Sequence, residues 1–199
     1  RTVLVDAVID RTVDPPASNK VLGGLGHLRY VVVHRTSLDK IGIDDDAIDG
    51  AALKTAFSSH DELRPVTGGR CPYHILILRD GVREQLLPLS AVGAHAIGYN
   101  RQSIAVALVG DFRRDEPNRW QWLALSQTCA ELVPINRYLV IVGHTQVPGS
   151  SKDETKVCPG DRLSIHDLTR RVVERLPPDW RARTPEEVLW ALKSGGYVV

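Results

Sequence analysis

Apolar and polar positions alternate along this chain in two distinct ways. RYVVVH (Arg29 to His34) and SIAVALVG (Ser103 to Gly110) are continuously apolar, the mark of strands buried on both faces, which requires helices above and below one sheet. YLVIV (Tyr138 to Val142) is a third buried strand, followed by a loop crowded with Pro, Gly, Ser and Asp. YHILILR and VREQLLP flank Asp80-Gly81, a pair suited to a type I′ turn, and so predict an antiparallel hairpin. Tyr73 and His74 adjoin in the first of these strands and should point to opposite faces, with core packing the plain reading of both.

Helical spacing appears between the strands. Ile48, Ala52, Leu53 and Phe57 predict a helix over 43–59, opened by acidic residues. Trp122, Leu125, Cys129 and Leu132 fall on one face of a second helix, which Pro134 ends or kinks. Ile165, Leu168, Val172 and Leu176 mark a third, with His166 off the stripe and exposed. TPEEVLWALKSGG carries a Thr184 cap, Pro185 at the first helical position and terminal glycines, predicting a last helix outside the core. Residues 1–28, rich in Pro and Gly toward their end, read as an irregular arm, with His27 a solvated loop histidine. The expected class is α/β: a single domain with a central mixed β-sheet flanked by helices on both faces. Its predicted organisation is an arm at 1–28, a main domain at 29–178 and a helical extension at 179–199.

Bulk properties narrow the partners. At 199 residues one domain with a substantial core is expected. A formal net charge of +1 gives no field to recruit nucleic acid or anionic lipid, and no apolar run is long enough for a membrane segment. A monomer is expected. The absence of Met, even at position 1, points to a processed or trimmed chain, so a signal for export would already be gone. Three cysteines leave at least one unpaired, and Cys158 is the choice for that role; Cys71 and Cys129 either pair in an oxidising compartment or stay as buried thiols.

The candidate chemistry lies in GHTQVPGSSKDETKVCPG, Gly143 to Gly160, where His144 and Cys158 form a soft-donor pair with Lys156 close to the thiol. A thiolate and an imidazole favour zinc over magnesium or calcium, and a catalytic zinc takes three protein ligands plus a water position. The best third donor is His34, at the end of its own strand and 110 residues from His144, so the fold rather than local spacing would assemble the site. His95 stands in AVGAHAIGYN, a loop whose small neighbours let a substrate backbone approach. Two other readings stay open: a module that binds without cutting, and a closed structural zinc site in which His95 or His74 supplies a fourth ligand.

Five ordered pieces, VVVHRTS, YHILILRDG, GAHAIGYNRQSIAVALVG, GHTQVPG and KVCPG, resemble the zinc-dependent N-acetylmuramoyl-L-alanine amidases, a family that includes amidase-type phage lysozymes and animal peptidoglycan recognition proteins. The resemblance runs from about His34 to about Leu176. It implies Zn2+ held by His34, His144 and Cys158, with Tyr73 and Lys156 catalytic and His95 lining the substrate groove. It implies hydrolysis of the amide between N-acetylmuramic acid and L-alanine in peptidoglycan, acting on the cell wall. The alternative is a non-catalytic peptidoglycan-fragment binder, against which the retained cysteine argues, because binding-only relatives typically lack it. The arm, the last helix and the SSKDET stretch before Lys156 have no counterpart in the family pattern.

Overall fold

A computed structural model describes residues 8–9, 25–36, 48–59, 67–136, 139–147 and 157–176. Among the described residues six strands form one sheet: β1 (Val8–Ile9), β2 (Tyr30–Arg35), β3 (Ile75–Ile77), β4 (Arg83–Gln85), β5 (Ser103–Leu108) and β6 (Val140–Gly143), in the order β1-β4-β3-β5-β2-β6. Only the β3/β4 pair is antiparallel, so the sheet is mixed, as expected. Helices α1 (Gly50–Ser59), α2 (Arg119–Leu132) and α3 (Ile165–Val173) complete the layers.

The continuous apolar runs have the predicted consequence. Val31, Val33, Ile104, Val106 and Leu108 pack on Leu125 and Cys129 of α2 and on Leu168 and Val172 of α3. Ala105 and Ala107 face the other way, onto Leu53 and Phe57 of α1. Cys71 belongs to that second layer and Cys129 to the first; both are buried thiols outside any disulfide, and the sheet between them accounts for this. Pro134 ends α2, as predicted, and the chain passes into a single 3-10 turn at Val133–Ile135.

Several local expectations change. The Asp80-Gly81 hairpin uses a three-residue loop instead of the two-residue type I′ turn. The Gly81 amide donates to the Leu78 carbonyl, the Leu78 amide donates to Val82, and Gly81 takes φ 85°, as in a type I turn followed by a bulge. Tyr73 and His74 lie just before β3, not within it, because the His74 ring accepts from the Ala105 amide that a strand carbonyl would otherwise occupy. Among the described residues α1 starts at Gly50. Its first amides are held by the Asp49 side chain, which accepts from Ala52, and by buried Glu84, which accepts from Gly50. Ala52, expected on the apolar stripe, is exposed, and Ala56 takes its place. The arm contributes an edge strand, Val8–Ile9, parallel to β4. The last predicted helix and Tyr138 lie outside the described residues.

Candidate metal centre

Two parallel strands set the first pair of donors side by side. Val33 of β2 aligns with Gly143 of β6, so the next residues along, His34 and His144, are neighbours, with ring centroids 4.5 Å apart. His34 also aligns with Ala107 of β5, and paired residues share a face, so its ring stands on the α1 side over small alanines. The chain then returns. Both the backbone amide and the hydroxyl of Thr145 donate to the Cys158 carbonyl, at 3.0 and 3.1 Å, which ties the cysteine loop to the turn carrying His144. At Gly143 a methyl group would lie 2.9 Å from the Pro159 ring, so the lack of a side chain there lets the loop press in. One donor atom each from His34, His144 and Cys158 lie within 4.8 Å of one another.

The donors are electrostatically distinct. Burial, helped by the nearby His144, His95 and His74, holds His34 well below its ordinary pKa, and burial likewise lowers His144. Both are therefore neutral imidazoles with a lone pair to give at neutral pH. Burial pushes the Cys158 thiol up to about 11, against the Arg35 backbone N–H and the Arg35 and Arg113 guanidiniums, which pull it down. A cation that displaces the thiol proton converts it to the thiolate these donors favour. Arg35 and Arg113 both pair with Asp111, whose carboxyl is held near 2, chiefly by hydrogen bonds from Arg113. Sequence alone does not announce this cluster; its available signal is Arg35, a charge directly after the His34 that closes the apolar run.

The other predicted residues gather unevenly. Tyr73 is buried, its ring 5.2 Å from that of His34 and edge-on to Phe57 at 5.9 Å. His74 donates from Nε2 to the Ala91 carbonyl and accepts at Nδ1 from the Ala105 amide, so neither ring nitrogen is free to bind a metal. Its pKa falls to about 4 through burial. His95, the expected groove residue, meets the site through His34: its Nδ1 is 3.1 Å from His34 Nε2, and its Nε2 is 3.3 Å from the Ser103 hydroxyl. His166 is exposed on α3, as expected, and is not among the clustered donors. Lys156 lies outside the described residues.

Soft donors at this spacing suit a divalent cation of intermediate softness, with no carboxylate in the group. Among the described residues no fourth His, Cys, Asp or Glu joins them. Such a set leaves room for a non-protein ligand.

The comparisons fit this geometry. The endolysin of Escherichia phage T7 is 55% identical over 38 residues, a stretch that is 19% of this chain and 25% of that protein. The fold resembles the Ph2119 endolysin from the Thermus scotoductus MAT2119 bacteriophage, with a TM-score of 0.60 and 23% identity, covering 77% of this chain and 89% of that one. It also resembles the endolysin N-acetylmuramoyl-L-alanine amidase LysCS of Clostridium intestinale URNW, with a TM-score of 0.55 and 20% identity over 79% and 92% of the two chains. Identities this low speak for the fold. The family model for N-acetylmuramoyl-L-alanine amidases matches residues 25–161, which contain all three clustered donors as well as Tyr73, His95 and Lys156. A match of that extent, over the whole segment that builds the cluster, places this chain in the N-acetylmuramoyl-L-alanine amidase family.

Proposed function

We propose that the protein is a zinc-dependent amidase that hydrolyses the amide between the lactyl group of N-acetylmuramic acid and the L-alanine of the stem peptide in peptidoglycan. The observation that carries this reading is the convergence of His34, His144 and Cys158 within 4.8 Å. Two neutral imidazoles and one thiol match the donor chemistry of zinc, and a three-residue set is the catalytic rather than the closed structural pattern. Bound there, zinc supplies a Lewis acid that polarises the scissile carbonyl and makes water a nucleophile near neutral pH.

The remaining steps belong to side chains. Tyr73, packed edge-on by Phe57 and beside the His34 ring, orients the attacking water or relays its proton. Lys156, two residues before Cys158 in sequence, is the cation assigned to stabilise the negative charge that develops on the amide oxygen. A donor in that position is typically worth about 3 kcal/mol in the transition state. Peptidoglycan is the implied substrate, with His95 at the border of the groove.

Purified peptidoglycan treated with zinc-loaded protein should release stem peptides bearing new L-alanine amino termini. A chelator should stop the release and added zinc restore it. Glycan and peptide that stay joined under both conditions would defeat the proposal in favour of a wall-binding module.

A further inference from the structure

We propose that His95 and Ser103 are positioning residues that fix which nitrogen of His34 faces the metal, through a one-directional chain of hydrogen bonds ending on a backbone carbonyl. The inference rests on the metal-centre reading above. It is built from the far end inward. The Tyr99 carbonyl can only accept, and it lies 2.7 Å from the Ser103 hydroxyl, closer than His95 does. The single hydroxyl hydrogen of Ser103 is therefore committed to Tyr99, and toward His95 the same oxygen can only accept.

That fixes the next link. His95 Nε2, 3.3 Å from Ser103 Oγ, carries the ring hydrogen and donates it. A neutral imidazole has one N–H, so His95 Nδ1 is a lone pair. His34 Nε2, 3.1 Å away, must then donate to it, which leaves His34 Nδ1 as the lone pair. His34 Nδ1 is the atom on the cysteine side, 3.8 Å from Cys158 Sγ. Every hydrogen in the chain points away from the metal and every lone pair toward it.

The chain is also held in place by its surroundings. The side-chain oxygen of Asn100 accepts from the backbone amides of both His95 and Ala96, each at 2.8 Å, and so pins the loop that carries the ring. At Gly93 a methyl group would lie 2.9 Å from the His95 ring, and nearer still to the Pro72 carbonyl, so only glycine lets the loop fold this close. His95 and Ser103 are both buried, so water does not readily replace either partner. Hydrogen-bond partners of this kind usually go to a carboxylate or a carbonyl directly; here the donated hydrogen reaches a carbonyl through two further side chains.

The test is zinc affinity, measured without substrate by competition with a chromophoric chelator. His95→Ala and Ser103→Ala should each weaken zinc binding by about 10- to 100-fold, the usual effect of losing an outer partner of a ligand. His95→Gln should recover most of that loss, because the amide offers an acceptor toward His34 and a donor toward Ser103 in the same order. A residue that served substrate alone would leave zinc affinity untouched in all three variants, and that result would overturn the proposal. Nitrogen NMR of the zinc-loaded wild type reads the same point even if a variant fails to fold: the proposal requires hydrogen on His34 Nε2 and zinc on Nδ1, and the reverse would sink it. A wild type that takes up no zinc would instead refute the metal-centre reading, and this inference with it.

Discussion

Gly160 offers a way to disturb the metal centre without touching a donor. It sits two residues past Cys158 with φ 127°, a conformation that L residues rarely adopt. A methyl group there would lie 2.6 Å from the Arg113 amide nitrogen and closer still to the Phe112 carbonyl group, all of it backbone, so no side-chain rotation relieves the overlap. Gly160→Ala therefore combines about 1–3 kcal/mol of backbone strain with about 1–3 kcal/mol of overpacking, for an expected loss of about 2–6 kcal/mol. Ordinary contact at 3.4 Å is restored only if the loop retreats by about an ångström or slightly more. Metal–ligand distances tolerate only about 0.2 Å, so a shift of that size passed on to the Cys158 sulfur removes it from the ion. The assays are denaturant unfolding of the zinc-free protein and chelator competition for zinc, where the variant should bind at least about 100-fold more weakly, about 2.7 kcal/mol. Gly68→Ala is the control, since Gly68 also has a positive φ of 64° but meets nothing closer than 4.0 Å. Wild-type stability and wild-type zinc affinity in Gly160→Ala would refute the reasoning.

Three further outcomes follow from the site. Cys158→Ala should lose its zinc, while Lys156→Ala should keep it and turn over about 100-fold or more slowly; metal analysis beside a peptidoglycan-release assay separates the two. Tyr73→Phe should retain zinc and fold, since the ring packing on Phe57 survives, yet lose rate in the same assay. His74 should make the zinc-free protein acid-sensitive. Its folded pKa of about 4 lies below the ordinary 6.5, so below pH 6.5 the unfolded chain takes up a proton that the folded chain refuses. This contribution to stability is whole above about pH 6.5 and is lost as pH falls toward about 4, amounting to about 2 kcal/mol between pH 7 and pH 5. Unfolding curves at those two pH values should show a smaller difference for His74→Asn than for the wild type, and an equal one would count against it.

The sheet was legible because burial on two faces leaves a plain imprint: RYVVVH and SIAVALVG could hardly be anything but interior strands. His34 stood out for the same reason, a polar residue closing an apolar run, and Cys158 because of its neighbours. Other features depend on distances between segments far apart in sequence. Nothing in VREQ announces that Glu84 accepts from the first amide of α1, or that Asp-Gly would open into a three-residue loop with Gly81 at the bulge. Ser103 looks like an ordinary strand start, and its link to His95 emerges only when Tyr99 folds back to take the hydroxyl hydrogen. His74 shows the same gap in reverse: beside Tyr73 it looked like a possible ligand, yet the backbone uses both its nitrogens.

X-ray diffraction at the zinc absorption edge, on crystals of the zinc-loaded protein, addresses the shared ion itself. The account predicts one strong anomalous peak, about 2.0–2.1 Å from a nitrogen of each of His34 and His144 and about 2.3 Å from Cys158 Sγ, with a solvent molecule as fourth ligand. A peak elsewhere, or one closed off by a fourth protein side chain, would contradict it.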